Sequence, residues 1–320
     1  MTIDQNDSPP NKPSLTPSGG FRTFSRLPNL AENGDDEIDL AFLGIPFDSL
    51  VTYRPGARFG PNAIRQASGL CRSYSQQMEV GIFERLRAFD AGDLNLNPFD
   101  YVEAFKQIEE CMSQLQRRGA AVVSLGGDHS ILLPILRATG KKYPDLALIQ
   151  FDAHSDTSDV GSWGQQYHHG TTVRRAIAEG LVEGVRVFQI GIRGFIESVS
   201  YNDFSKQAGI HVLDMQGVHN SSARDAFFEE LRNSVGSGPC YLTFDIDGVD
   251  PAFAPGTGTP IVGGLTSFEA LDMMRSLRGL RFVGGDVVEI APAYDHSEIT
   301  ALLGAAIALE IGALIALAPR

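Results

Sequence analysis

Eight short apolar runs, most of them separated by stretches of helical periodicity, constrain this chain more than any other feature. They lie at 38–45 (Ile-Asp-Leu-Ala-Phe-Leu-Gly-Ile), 86–90, 120–125, 146–151, 186–191, 209–213, 239–246 and 281–289. A short helix is expected from Asn62, amphipathic patterns fall near 100–118, 131–140, 170–180, 196–207, 221–235 and 266–278, and a last helix starts at about Ser297. Apolar runs of this length that lack strict polar alternation read as strands buried on both faces. Strand and helix alternation on this scale predicts an α/β fold with a mostly parallel sheet of about eight strands and helices on both sides. No linker or composition break divides it, so a single domain over 21–320 is expected. The first twenty residues, with Pro9, Pro10, Pro13, Pro17, Gly19 and Gly20, are polar and read as a disordered arm over 1–20.

Charge bears on partners. The chain of 320 residues has a formal net charge of −13, which argues against nucleic acid or an anionic membrane, since both call for a basic face. The apolar tract from Ile299 to Pro319 contains Glu310 and many small residues, so a buried or interface helix is expected rather than a membrane span. Cys71, Cys111 and Cys240 are odd in number, far apart and without CxxC spacing. They imply neither a disulfide framework nor a thiolate metal site, and free thiols suit a reducing cytoplasm.

The chemistry gathers at strand ends. Asp152-Ala153-His154-Ser155-Asp156 follows the run 146–151 and sets carboxylate, imidazole and carboxylate at alternate positions, where an extended chain repeats about every 6.5 Å on one side. Alone, this could equally be a polar strand end that caps the next helix. Three further segments reach the same edge: Gly126-Gly127-Asp128-His129 after 120–125, Asp245-Ile246-Asp247 closing 239–246, and Glu289 closing 281–289. Parallel sheets bind ligands just outside those carboxyl ends. Asp152, Asp156, Asp245 and Asp247 bring four negative charges among apolar strands, which is very unfavourable unless they are neutralised. Two divalent cations would neutralise them. His129 and His154 bring the ligands to six, and two bridging aspartates would give each metal four protein ligands with room for a shared solvent molecule. Carboxylate and imidazole without thiolate favour manganese, with nickel as the alternative.

Gly-Gly-Asp-His at 126–129, Asp-Ala-His-Ser-Asp at 152–156 and Asp-Ile-Asp-Gly-Val-Asp-Pro-Ala-Phe-Ala-Pro-Gly-Thr-Gly-Thr-Pro at 245–260 resemble the signature segments of the ureohydrolases, the arginase and agmatinase family. Gly-Gly-Leu-Thr at 263–266 and Val-Glu-Ile-Ala-Pro-Ala-Tyr-Asp at 288–295 extend a likeness that runs from about residue 38 to the end. The resemblance implies a three-layer α/β/α sandwich, a binuclear manganese centre, homotrimers or homohexamers, and hydrolysis of a guanidino group to urea and an amine. It implies His129 and Asp156 as terminal ligands of one metal, His154 and Asp247 of the other, and Asp152 and Asp245 as bridges. Glu289 matches the residue that pairs with the guanidinium, and His169, in His169-Gly170-Thr171, matches the proton shuttle or substrate-positioning base. Asp156 would also pass a proton to the departing nitrogen.

The loop from Gly161 to His169 is expected to cover the far end of the substrate, with Trp163, Tyr167 and His168 as contacts. Agmatinases similar to this chain often carry acidic residues just before the His-Gly pair, where Gln166, Tyr167 and His168 stand here, followed by Arg174 and Arg175. Agmatine, yielding putrescine and urea, is the first substrate expected, because the C-terminal half looks most like agmatinase. Guanidino acids such as 4-guanidinobutyrate or 3-guanidinopropionate, whose carboxylate would meet an arginine or the histidines, are the alternative, together with guanidine and alkylguanidines. Arg54 and Arg58 are expected to tie loops or subunits together. Rival readings are a one-zinc deacetylase relative, opposed by the six-ligand set, and a non-catalytic subunit of such a complex. Neither a G-x-S-x-G elbow nor a G-x-G-x-x-G turn after the first run is present.

Overall fold

A computed structural model describes residues 22–32, 37–196 and 198–319. The expected arm over 1–20 lies outside them. Eight strands form one sheet: β1 (Leu40–Gly44), β2 (Ala88–Asp93), β3 (Ala121–Leu125), β4 (Ala147–Phe151), β5 (Val187–Ile192), β6 (His211–Asp214), β7 (Pro239–Asp245) and β8 (Arg281–Val288). Their spatial order is β2-β1-β3-β8-β7-β4-β5-β6, and every pairing in this sheet is parallel. The expected sheet is therefore observed.

The α-helices of six residues or more are α1 (Gly60–Ser68), α2 (Tyr101–Arg117), α3 (Leu132–Lys142), α4 (Thr172–Ala178), α5 (Asp203–Ala208), α6 (Ser221–Val235), α7 (Ser267–Ser276) and α8 (Ile299–Ala316). Successive strand residues point to opposite faces, and the core divides accordingly. Leu40, Phe42, Val123, Leu125, Ile149 and Phe151 join α1, α6, α7 and α8 on one face. Ala41, Leu43, Val122 and Leu148 join α2, α3 and α4 on the other. The result is the three-layer sandwich.

Local chemistry explains the helix boundaries. α7 starts at a capping box in which Thr266 Oγ1 accepts from the Glu269 N–H at 3.1 Å and Glu269 Oε2 accepts from the Thr266 N–H at 2.8 Å. The helix expected over 196–207 is shorter: a single turn, Val199–Asn202, precedes α5. Ser198 and Ser200 there hydrogen-bond each other at 2.7 Å, and such short polar side chains compete with helical backbone pairing. The shortening leaves residues 193–196 as a loop at the carboxyl end of β5.

α8 is apolar around most of its circumference and is long enough by composition to cross a membrane, yet its side chains are mostly buried against the sheet and α1. Its one acid, Glu310, accepts from Arg275 Nε of α7 at 2.9 Å. Removing one partner of a buried ion pair strands the other charge. Arg275→Leu is expected to lower the unfolding free energy by about 3 kcal/mol, read from urea denaturation, with most of the loss recovered in Arg275→Leu/Glu310→Leu. The three cysteines are free, with Cys240 fully buried.

Candidate active site

The four segments singled out by their chemistry follow β3, β8, β7 and β4, which are consecutive neighbours at the centre of the sheet. Backbone amides aim the carboxylates. Asp152 Oδ1 accepts from the His154 N–H at 2.6 Å, Asp245 Oδ1 from the Asp247 N–H at 2.9 Å, and Asp247 Oδ1 from the Ala153 N–H at 3.1 Å. Gly127 is required by close approach, since a Cβ there would lie 1.8 Å from the Phe47 carbonyl oxygen. Asp128 holds this corner in place, accepting from Ser130 N–H at 2.9 Å and Leu50 N–H at 3.0 Å. Asp156 and Glu289 adopt left-handed backbone, with φ of 52° and 64°. For non-glycine residues this costs about 1–3 kcal/mol and persists where the surroundings over-determine the geometry, as at ligand sites.

The side chains converge as the charge argument requires. His129 Nδ1 lies 3.1 Å from Asp152 Oδ2, 2.8 Å from Asp156 Oδ2 and 3.4 Å from Asp245 Oδ2. His154 Nδ1 lies 3.0 Å from Asp247 Oδ2 and 3.6 Å from Asp152 Oδ1. Asp152 thus turns one oxygen to each histidine. Two groups meet the distance requirement for a metal ion, His129 with Asp152 and Asp245, and Asp152 with His154 and Asp247. All the aspartates and His129 are buried.

Hydrogen bonding tests whether a cation fits. Thr243 Oγ1 donates to Asp286 Oδ1 at 2.6 Å, so at its 2.8 Å contact with His129 Nε2 it accepts. The neutral His129 ring then carries its proton on Nε2 and turns the Nδ1 lone pair toward carboxylate oxygens. Neither His129 Nδ1 nor Asp156 Oδ2 has a hydrogen-bond partner among the described residues. Lone pair facing carboxylate is repulsive unless a cation lies between them, and without one, despite burial, Asp156 and Asp152 draw a second proton onto the ring. Without one, burial and the neighbouring Asp247 and Asp152 push Asp245 well above the carboxylate range, and burial with Asp152 raises Asp156 to about 6. The residues fit two divalent cations.

Beside this cluster, Glu289 Oε1 accepts from the His129 N–H at 2.8 Å and pairs with His169 Nδ1 at 2.9 Å. His169 lines a cavity of about 330 Å³, and Glu289 reaches it only through its contacts with the lining residues His129 and His169. Trp163 and His168 line it, joined by Arg193, Phe195, Ile196 and Tyr201. His168 Nδ1 accepts from the Gly170 N–H at 3.2 Å, and burial, His169 and Arg175 lower its pKa to about 4, so it is neutral.

Other expectations are corrected. Tyr167 does not line the cavity: its ring packs on Tyr101 and Phe105 at 5.9 and 6.4 Å, because the loop turns it into the α2 side of the core. Arg174 donates to the Thr157 carbonyl at 2.8 Å and Arg175 to Asp159 at 2.6 Å, and neither lines the cavity. Arg54 ties loops as expected, donating to the Gly258 and Thr257 carbonyls at 3.0 Å each. Arg58 pairs with Asp48.

Several supporting residues escaped the sequence reading. Gln150 Nε2 donates to Asp152 Oδ2 at 2.7 Å, and Gln189 Nε2 donates to Gln150 Oε1 at 2.7 Å. With Thr243 and Asp286 they are buried polar residues within apolar runs, and that anomaly was the available signal. Arg193, Phe195 and Tyr201 carried none, since they belong to a stretch without a motif.

The arginase family matches residues 38–313. The chain is 42% identical over 297 residues to a guanidinopropionase of Pseudomonas aeruginosa, covering 93% of this chain and 92% of that protein. It is 44% identical over 290 residues to an agmatinase of Neisseria meningitidis serogroup B, covering 90% and 91%. The structure of proclavaminate amidino hydrolase from Streptomyces clavuligerus superposes with a TM-score of 0.86 at 39% identity, covering 94% of this chain and 99% of that one. A binuclear-metal geometry at the carboxyl edge of this sheet and a match over most of its length agree: this chain belongs to the arginase family and is a guanidino hydrolase.

Proposed function

We propose that the substrate is a short guanidino acid, cleaved to urea and an ω-amino acid. The carrying observation is the charge of the cavity lining. Among the described residues it holds the positive Arg193, set next to the metal cluster by its bond to the Asp247 carbonyl, beside Trp163, Phe195, Tyr201 and Asn202, and no carboxylate apart from Asp156 and Asp245 lines it. The ammonium of agmatine, ranked first on sequence, finds no charged partner there. Cation–π contact at an exposed site contributes about 0.5–1 kcal/mol, less than a charge-assisted hydrogen bond. Arg193 donates to the carbonyls of Gly191, Asp247, Gly248 and Ile261, so it supplies positive potential to the wall while joining loops. The likeness to a guanidinopropionase supports this reading.

His129, Asp152, Asp156 and Asp245 would hold one divalent cation, and Asp152, His154, Asp245 and Asp247 the other, manganese first and nickel second by donor type. When bound, the pair supplies a water acidic enough to ionise near neutral pH. The protein's own groups do the rest. Glu289 keeps acceptor capacity on Oε2 for the planar guanidinium and orients its carbon toward the cluster. Asp156, in contact distance of His129 Nδ1, passes a proton to the departing nitrogen, and His169 exchanges protons from the cavity side. Assembly as a homotrimer or homohexamer in a reducing cytoplasm completes the proposal, supported by the resemblance and the free thiols.

A urea-release assay across 3-guanidinopropionate, 4-guanidinobutyrate, agmatine, arginine, guanidine and alkylguanidines, with manganese and with nickel, tests it. One of the acids is expected to give kcat/KM at least tenfold above agmatine, a difference of about 1.4 kcal/mol. Agmatine exceeding both acids overturns the assignment. Glu197, the chain neighbour of Ile196, lies outside the described residues, and an agmatine preference lost in Glu197→Gln would identify the ammonium partner.

A further inference from the structure

We infer that Thr52 is a positioning residue for His169, its backbone N–H and hydroxyl together claiming Nε2 and deciding which ring nitrogen carries the proton. The inference rests on the proposed role of His169 in proton exchange and adds a residue to it.

The Thr52 N–H points at His169 Nε2 at 3.1 Å, and Thr52 Oγ1 lies 2.7 Å from the same atom. On the other side of the ring, Nδ1 lies 2.9 Å from Glu289 Oε1. A backbone amide only donates and an ionised carboxylate only accepts. Both partners therefore demand the same tautomer, with the proton on Nδ1 and a lone pair on Nε2. The hydroxyl of Thr52 then donates to Nε2 as well.

The segment that carries the clamp is tied at Leu50, two residues before Thr52. The His169 N–H donates to the Leu50 carbonyl at 3.0 Å. The Leu50 N–H in turn donates to buried Asp128 at 3.0 Å. These bonds keep the backbone leading to Thr52 against His169.

The charged surroundings show why a clamp is needed. Burial opposes a charge on His169, whereas Glu289, Asp128 and Asp156 favour one and draw the ring up to about 9. His168 beside it is neutral. A proton on Nε2 would meet the Thr52 amide, donor against donor, so the amide opposes the second proton that the carboxylates favour and fixes the first on Nδ1. Thr52 and His169 both line the cavity. The hydroxyl consequently links Nε2 to the space where substrate nitrogen departs.

The test uses the full-length, metal-loaded protein. Thr52→Val deletes the hydroxyl and keeps the amide, and Thr52→Ser keeps both. Thr52→Val is expected to lower kcat about tenfold, the effect of one hydrogen bond made in the transition state, with KM changed less than twofold. The acidic limb of its kcat profile moves to higher pH, because the lone pair has lost a donor and takes a proton more readily. Thr52→Ser restores both rate and profile. A Thr52→Val enzyme with wild-type kcat and pH profile overturns the inference, and so does a Thr52→Ser enzyme that behaves like Thr52→Val. Should the wild-type protein release no urea from any guanidino compound, the functional reading fails by itself. The clamp is then decided by nitrogen NMR of histidine-labelled, magnesium-loaded protein titrated until the ring is neutral, with His169 assigned from His169→Asn: a neutral ring protonated on Nδ1 supports it, and one protonated on Nε2 overturns it.

Discussion

Asp245→Ala is expected to empty the centre and abolish urea release, a loss well beyond the 10–100-fold typical of changes to groups that merely support ligands. Asp245 stands within reach of His129 and is pushed well above the carboxylate range by burial and by its neighbours Asp247 and Asp152. Its removal takes away an oxygen from the cluster and a negative charge from the repulsion. Elemental analysis should therefore show fewer than two cations per chain, while the metal-free protein melts no lower than wild type because a crowded carboxylate has gone. His154→Ala, which faces Asp247 and Asp152 on one side of the cluster only, should lose activity with a smaller loss of metal. An Asp245→Ala protein that retains two cations and turns over substrate would remove Asp245 from the centre.

Glu289→Gln is expected to keep the metal and lower kcat/KM by about 10²–10³, the range seen when one preorganised electrostatic contact to a transition state is lost. The amide is isosteric. Its carbonyl oxygen can still accept from the His129 N–H and from His169, the two bonds that Glu289 Oε1 makes, so the local fold persists. Its other end becomes a donor facing a cationic guanidinium, which is repulsive. Metal content, melting temperature and kinetics on one preparation separate these effects, and full activity in Glu289→Gln refutes its role. Its strained backbone, φ of 64°, gives a second check. Glu289→Gly relieves the strain yet should be as inactive, because the side chain and not the turn holds the substrate.

Much of this molecule was legible before folding was considered. The apolar runs announced the strands, and their ends were marked by His129, Asp152, His154, Asp156, Asp245, Asp247 and Glu289. These signals are local: a buried parallel strand needs consecutive apolar residues, and ligands at i, i+2 and i+4 share a side by backbone geometry alone. The likeness to ureohydrolases rested on the same segments. Where local and tertiary demands disagreed, the reading failed. Trp163 and Tyr167 sit four residues apart in one loop, yet one borders the cavity and the other packs on Tyr101 and Phe105. No periodicity in a loop tells which way it turns.

The sequence by itself determined the strand ends, the ligand chemistry and hence the need for two cations, because residue type and short spacing suffice for charge balance. Only the tertiary structure decided that β3, β8, β7 and β4 are neighbours, that Thr243 and Asp286 turn the His129 lone pair inward, that Thr52 meets His169 across 117 residues, and that Arg193 rather than Arg174 or Arg175 lines the cavity. Each of these joins segments far apart in the chain. Such contacts depend on strand pairing and side-chain packing, in which distant residues compete for the same partners, and neighbouring residues alone do not encode the outcome.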